Sequence, residues 1–317
     1  MNRLHQLVAI VVFAHLFFTG GANQTLRAAQ AGNRPISIPF TLTDQNNLVV
    51  SVMLNDTDTL NLMLHTAASD VTLTEDAVRK TKSIKFTETS KMKSWGGESD
   101  SRFSKGNQVR IGQLQRNNIT VWENKNSGKD TDGKFGLDIF QKGQNGQNRI
   151  VEIDFDQRRI VLHEKLPRKA GKYERLKIEN QNGQLLVQGN CLIDGKSYSN
   201  KFLLHSGYSG GILLDDAFAA NAGVDGKIQI TEESSLKDSF GNTIKVKKGI
   251  LPEFALGKAR ISNVPTGFFA GAIGAQKMSV LGGEVLKQFN LIFDIANNDL
   301  YIAPRHTPLA NRPGRDG

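Results

Sequence analysis

Two stretches decide the fold: Leu60-Asn61-Leu62-Met63-Leu64-His65-Thr66-Ala67-Ala68-Ser69 and Lys201-Phe202-Leu203-Leu204-His205-Ser206-Gly207-Tyr208-Ser209. Each is an apolar strand that runs into a histidine, a hydroxyl residue and then a tiny residue. The strand fixes the polar residue at its end, and the small residues let the backbone curl around that side chain. The histidines are 205 − 65 = 140 residues apart, and the same offset relates Leu73 to Leu213, Asp76 to Asp216 and Ala77 to Ala217. It widens to 145 between Gly112 and Gly257 and between Ile119 and Val264, and to 146 between Phe135-Gly136 and Leu281-Gly282. It returns to 140 where Ile153-Asp154 matches Phe293-Asp294 and Ile160-Val161-Leu162 matches Leu300-Tyr301-Ile302. An offset that drifts and returns marks one fold repeated with loops of unequal length, residues 141–148 being the extra loop of the first copy.

Around these stretches, short apolar runs alternate with turn residues: Ile36 to Leu42, Leu48 to Leu54, Leu60 to Leu64. That spacing predicts strands and hairpins, and 31 glycines with only 7% aromatics agree with an all-β chain. Thr74 is placed to cap a short helix at Glu75, and Asp215 one that runs to Ala220 and stops at Gly223. The 317 residues carry a formal charge of +9, but the basic residues are scattered without interleaved aromatics, so a nucleic-acid surface is not expected. The single cysteine, Cys191, allows no intramolecular disulfide and lies in an apolar strand pattern, so it reads as a small core residue. Arg3, the apolar run Leu7 to Phe18 and Gly20-Gly21-Ala22 have the layout of a signal peptide, too short to span a bilayer comfortably. The expected organisation is a signal peptide at 1–22, a disordered segment at 23–34, lobes at 34–165 and 172–305 joined by a linker at 166–171, and a flexible tail at 306–317. The expected product is exported, periplasmic or secreted, without a membrane span, and monomeric. Asn55-Asp56-Thr57 and Asn118-Ile119-Thr120 match glycosylation sequons, which matter only in a eukaryote.

An apolar strand followed by Asp, Thr or Ser, and Gly is the hallmark of aspartic proteases, and both stretches resemble it with histidine in place of aspartate. Asp132-Gly133-Lys134-Phe135-Gly136-Leu137 resembles the segment that packs beneath the active-site loop of that family, with Val280-Leu281-Gly282-Gly283-Glu284-Val285-Leu286 as its counterpart. Phe289 to Asp294, continuing to Ala303-Pro304, is similar to the C-terminal strand pair of pepsin-like enzymes. The resemblance covers most of residues 35–305 and is closest to bacterial exported relatives of the pepsin and retropepsin type. It implies a two-lobed fold, each lobe a small closed β-barrel or sandwich with one or two short helices. It places His65 and His205 at the catalytic dyad, with Thr66, Ala67, Ser206 and Gly207 supporting it. Mobile hairpins over the cleft would hold Trp95-Gly96 and Phe240-Gly241. Neither histidine can supply a carboxylate, and Ala67 stands where the family has glycine.

Three readings of the pair stay open. The first is a non-catalytic relative that binds a peptide or protein ligand in the inter-lobe cleft. The second is a hydrolase in which one imidazole acts as base and the other, protonated, as acid. The third is a divalent metal held by His65 and His205, although no close third ligand follows from the sequence. His163 and His306, at the lobe ends, read as surface histidines. No other cofactor is implied.

Overall fold

The computed structural model describes residues 35–94, 97–125, 128–141, 149–237, 243–269 and 276–306. The expected signal peptide, the segment 23–34, most of the tail and the hairpin residues Trp95, Gly96, Phe240 and Gly241 lie outside the described residues.

The first half runs β1 (Ile36–Pro39), β2 (Thr41–Leu42), β3 (Leu48–Leu54), β4 (Asp58–Leu64), β5 (Val71–Thr74), α1 (Glu75–Lys80), β6 (Glu88–Ser94), β7 (Gly97–Ile111), β8 (Leu114–Asn124), β9 (Gly133–Phe135), α2 (Asp138–Gln141), β10 (Ile150–Asp154) and β11 (Arg159–His163). The second runs β12 (Glu174–Gln181), β13 (Gln184–Ile193), β14 (Lys196–His205), β15 (Ile212–Leu213), α3 (Asp216–Ala222), β16 (Gln229–Lys237), β17 (Thr243–Leu256), β18 (Ala259–Phe269), β19 (Ser279–Gly282), α4 (Gly283–Leu286), β20 (Phe289–Asp294) and β21 (Asp299–Pro304).

Each half closes a ring of six strands. In the first, β3, β4, β9, β5, β8 and β7 pair in that order and β7 returns to β3. In the second, β13, β14, β19, β15, β18 and β17 do the same, with β17 returning to β13. Closure removes the open edges that an unpaired sheet would expose. A further layer, β1-β11-β10-β20-β21-β12, draws strands from both halves. At its centre β10 and β20 run antiparallel, with Val151 opposite Phe293, Glu152 opposite Ile292 and Ile153 opposite Leu291. Since 292 − 152 = 140, the central pair joins positions that match in the repeat. Equivalent residues can face each other in this way only on a local two-fold axis.

The burial patterns explain the sequence patterns. Strand β4 alternates at first and then buries Leu62, Met63 and Leu64 in succession. That change occurs where it pairs in parallel with β9, as expected of a strand covered on both faces. Strand β20 is buried along its whole length. Both expected helix caps form. The Thr74 side chain accepts from the Ala77 N–H, and Asp215 accepts from the Phe218 N–H, with Gly223 ending α3 at φ 64°. Cys191 is fully buried, and burial pushes its thiol up to about 12, which leaves it unreactive at neutral pH. Phe135 and Phe140 meet edge-to-face with centroids 5.4 Å apart in the first ring's core. Phe135→Ala should therefore lower the unfolding free energy by about 3–5 kcal/mol, with Phe135→Leu costing less, as read by urea denaturation.

Candidate functional site

The two site loops are built the same way. In the first ring, Leu64 lies opposite Phe135, and the His65 N–H donates to the Phe135 carbonyl at 2.9 Å. In the second, His205 ends β14 opposite Gly282 of the parallel strand β19. Each loop then turns: the Ala68 N–H donates to the His65 carbonyl at 3.0 Å, and the Tyr208 N–H to the His205 carbonyl at 3.1 Å. The glycines beneath are needed for room. A Cβ on Gly136 would lie 2.2 Å from the Ala68 carbonyl oxygen, and one on Gly282 would lie 2.3 Å from that of Gly210.

Thr66 and Ser206 lock the loops together. The Thr66 N–H donates to Ser206 Oγ and the Ser206 N–H to Thr66 Oγ1, each at 3.0 Å. The two hydroxyls then donate across the boundary, Thr66 Oγ1 to the Leu204 carbonyl and Ser206 Oγ to the Leu64 carbonyl, each at 2.6 Å. Both residues are buried, so every bond forms away from competing water.

This brace brings His65 and His205 face to face, with ring centroids 4.4 Å apart and planes tilted by 56°. His65 lies against the backbone of Gly207: a Cβ there would fall 2.2 Å from Cδ2 of His65. Gly207 is thus required by the opposite lobe's imidazole and not by a left-handed backbone. Ala67 also has no positive φ, so its methyl group fits the turn, and it packs against the apolar cluster that includes Leu203 and Val280.

The Nδ1 atoms of both imidazoles are buried without a hydrogen-bond partner. Burial, the charge of His205 and the charge of Lys134 hold His65 well below its ordinary 6.5. Burial and Lys134 push His205 down to about 4. At neutral pH the site therefore presents two uncharged rings, each with one N–H and one lone pair. Among the described residues no group of three or more His, Cys, Asp or Glu converges, so the pair offers two of the three protein ligands zinc usually takes. His163 is less of a surface residue than expected: its Nε2 meets the buried Glu152 carboxylate at 2.8 Å. His306 is exposed, and its N–H donates to Asp156.

Two features escaped the sequence reading. Lys134 lies on β9, in the segment beneath the first site loop, and its charge bears on both imidazoles. Asn46 in the β2–β3 turn donates from Nδ2 to the Ser209 carbonyl and to Glu284, each at 2.8 Å, and accepts from the buried Lys287 ammonium on Oδ1. This latch ties the first lobe to the second site loop, and its members are too far apart in the chain to signal one another.

A family model described as aspartyl protease matches residues 50–139, the span from β3 through the first site loop to α2. Comparison with curated proteins yields no match. Among solved structures, the crystal structure of the aspartic proteinase from Irpex lacteus aligns with a TM-score of 0.54 at 13% identity, covering 86% of this chain and 98% of that one. The fold is thus the two-lobed, all-β fold of pepsin-like aspartic proteinases. The family match and the fold together support an aspartic-protease-like chain, with histidine at both positions where the resemblance places the dyad.

Removing both brace hydroxyls, Thr66→Val with Ser206→Ala, should cost at least about 2 kcal/mol in chemical denaturation, because it strands buried N–H and carbonyl groups. An unchanged unfolding midpoint would refute that energetic role.

Between about pH 6.5 and about pH 4 the unfolded chain binds more protons than the folded one at these histidines. The stability they contribute is complete above the unfolded value and is lost as pH falls toward the folded value. His205 alone should remove on the order of 3 kcal/mol over that range. Urea titrations at several pH values should show this slope, flattened in the His65→Asn, His205→Asn double variant.

Proposed function

We propose that this chain is an exported, non-catalytic aspartic-protease-like protein that binds a peptide or peptide-like segment of a protein between its lobes. The observation that carries this reading is a braced two-lobe site with a neutral imidazole pair where the resemblance expects carboxylates. Peptide hydrolysis by two carboxyl groups needs one ionised to activate water and one protonated to donate to the carbonyl. Two imidazoles that are both uncharged at neutral pH supply lone pairs but no matched acid. The site scaffold is nonetheless intact. The cross-lobe hydroxyls, the glycines beneath the loops and the Asn46 latch all hold the geometry that a ligand would meet.

A second reading is favoured by the short distance between the rings. A singly protonated pair has one acid and one base, so a histidine hydrolase is chemically open. The depressed affinities confine that one-proton state to acidic solution near pH 4, where His205 titrates. A metal-assisted variant would need a further ligand from water or substrate.

The test is a random peptide library assayed from about pH 3 to about pH 8 with wild type, His65→Ala, and the His65→Asp, His205→Asp double variant. The expected result is no cleavage by wild type at any pH, retained peptide binding by wild type, and cleavage by the double aspartate variant alone. Cleavage by wild type that peaks near pH 4 and vanishes in His65→Ala would replace the binding reading with the histidine hydrolase. Metal-dependent cleavage that a chelator abolishes would replace it with the metal reading.

A further inference from the structure

The sheet that joins the two halves has two unlike faces. Val151, Ile153, Leu291, Phe293, Leu300 and Ile302 point one way and belong to the main core. The alternate residues point the other way, and the register sets them side by side: Ile150 opposite His163, Glu152 opposite Ile292, and Ile292 opposite Tyr301. This outer face is covered by the segment expected as the linker. Arg168–Lys172 forms a 3-10 turn, in which the Ala170 N–H donates to the Pro167 carbonyl at 2.9 Å and the Tyr173 N–H to that of Ala170 at 3.0 Å. Ala170 is fully buried in a small apolar cluster with Ile150 of the first half and Ile292 and Tyr301 of the second, and Tyr173 packs against that cluster. The turn is thus a strap laid across the joint between the halves.

A buried carboxylate lies under the strap. Glu152 is 1% exposed, at the position that the local two-fold axis relates to Ile292. Its Oε2 meets His163 Nε2 at 2.8 Å, and its Oε1 meets the Lys169 ammonium of the strap. Lys169 also reaches Asp154, two residues along β10, at 3.5 Å. Tyr173 of the strap feels the charges of Glu152, Asp154 and Asp156, and Asp156 is itself bound by Arg305. Strands β20 and β21 bring Ile292 and the Tyr301 ring to the same place, and Asp299 farther along β21 is held by Arg175 and Lys177. Burial pushes the Glu152 carboxyl up, but His163 and Lys169 outweigh burial and hold it below its ordinary 4.5. The stability that Glu152 contributes is therefore complete above that value and is lost as pH falls through the folded value. A neutral Glu152 leaves a strap with three basic residues, Arg168, Lys169 and Lys172, and leaves Lys169 with the longer contact to Asp154.

We propose that Glu152 is the catch of an acid-released strap: while it is charged the 168–172 turn is fastened over both halves, and its protonation frees the turn and uncovers the outer face of the joint. The inference goes beyond the binding reading and does not depend on it.

Hydrogen exchange of the whole chain, read by mass spectrometry and divided by the chemical exchange rate at each pH, tests this. Peptides covering 165–174 report the strap, and peptides covering 48–64 report the first ring. Glu152→Gln keeps the shape of the side chain and removes its charge, Lys169→Met removes the strap's partner, and Glu179→Gln, at an exposed ion pair with Lys201, is the control. Wild type and the control should protect the strap at about pH 7 and lose about tenfold of that protection by about pH 3.5. Glu152→Gln and Lys169→Met should show that loss already at about pH 7, with 48–64 protected as in wild type. Circular dichroism checks that each variant is folded, and Lys169→Met, which changes a partly exposed side chain, carries the test if Glu152→Gln is not. Wild-type protection of the strap that is equal at both pH values, or variants as protected as wild type at about pH 7, overturns the inference. An equal loss of protection in 165–174 and 48–64 of the variants also overturns it, because that is general unfolding and not release of a strap.

Discussion

The crossed hydrogen bonds of Thr66 and Ser206 are the constraint on which the site depends. Each hydroxyl accepts from the opposite loop's N–H and donates to a carbonyl at the end of the opposite strand. An N–H, a hydroxyl and a carbonyl on each side, which would otherwise be buried without partners, are thereby satisfied across the lobe boundary. Neither loop can move alone without stranding groups in both, and each such group is expensive to leave unpaired. The antiparallel pairing of β10 with β20 makes the same junction at backbone level, because it too joins residues 140 apart. Two junctions of matched residues define one axis, and the histidines that precede the braced hydroxyls must then face each other.

What faces across the axis decides the chemistry. A carboxyl pair can hold one proton and one negative charge in such a place. An imidazole pair there is pressed toward neutrality by burial, by mutual repulsion and by the nearby ammonium of Lys134. The scaffold accommodates the larger rings because Gly207 offers no Cβ to the His65 ring. The two histidines are thus compatible with intact packing of the braced loops.

Much of this was legible from residue order alone. The offset of 140 foretold matched halves, and the Thr74 and Asp215 caps and the Gly223 stop were readable from local pattern, since they depend on residues within one turn of each other. Less visible was the reason for Gly207, which lies in a ring 142 positions earlier in the chain. Lys134 was not singled out, because its meaning depends on which face of β9 it takes and on what the closed ring places beside it. The Asn46 latch joins residues up to 241 apart through amide and ammonium groups that form no local motif.

By itself the sequence determined the all-β class, the doubled fold and the identity of the paired residues, because strand periodicity, turn chemistry and a repeat are properties of residue order. Only the tertiary structure decided that the imidazoles lie 4.4 Å apart and uncharged at neutral pH, with a lysine within electrostatic reach. The physical reason is that proton affinity depends on burial and on neighbouring charge. Both are set by chain segments that meet only after the two rings close and dock.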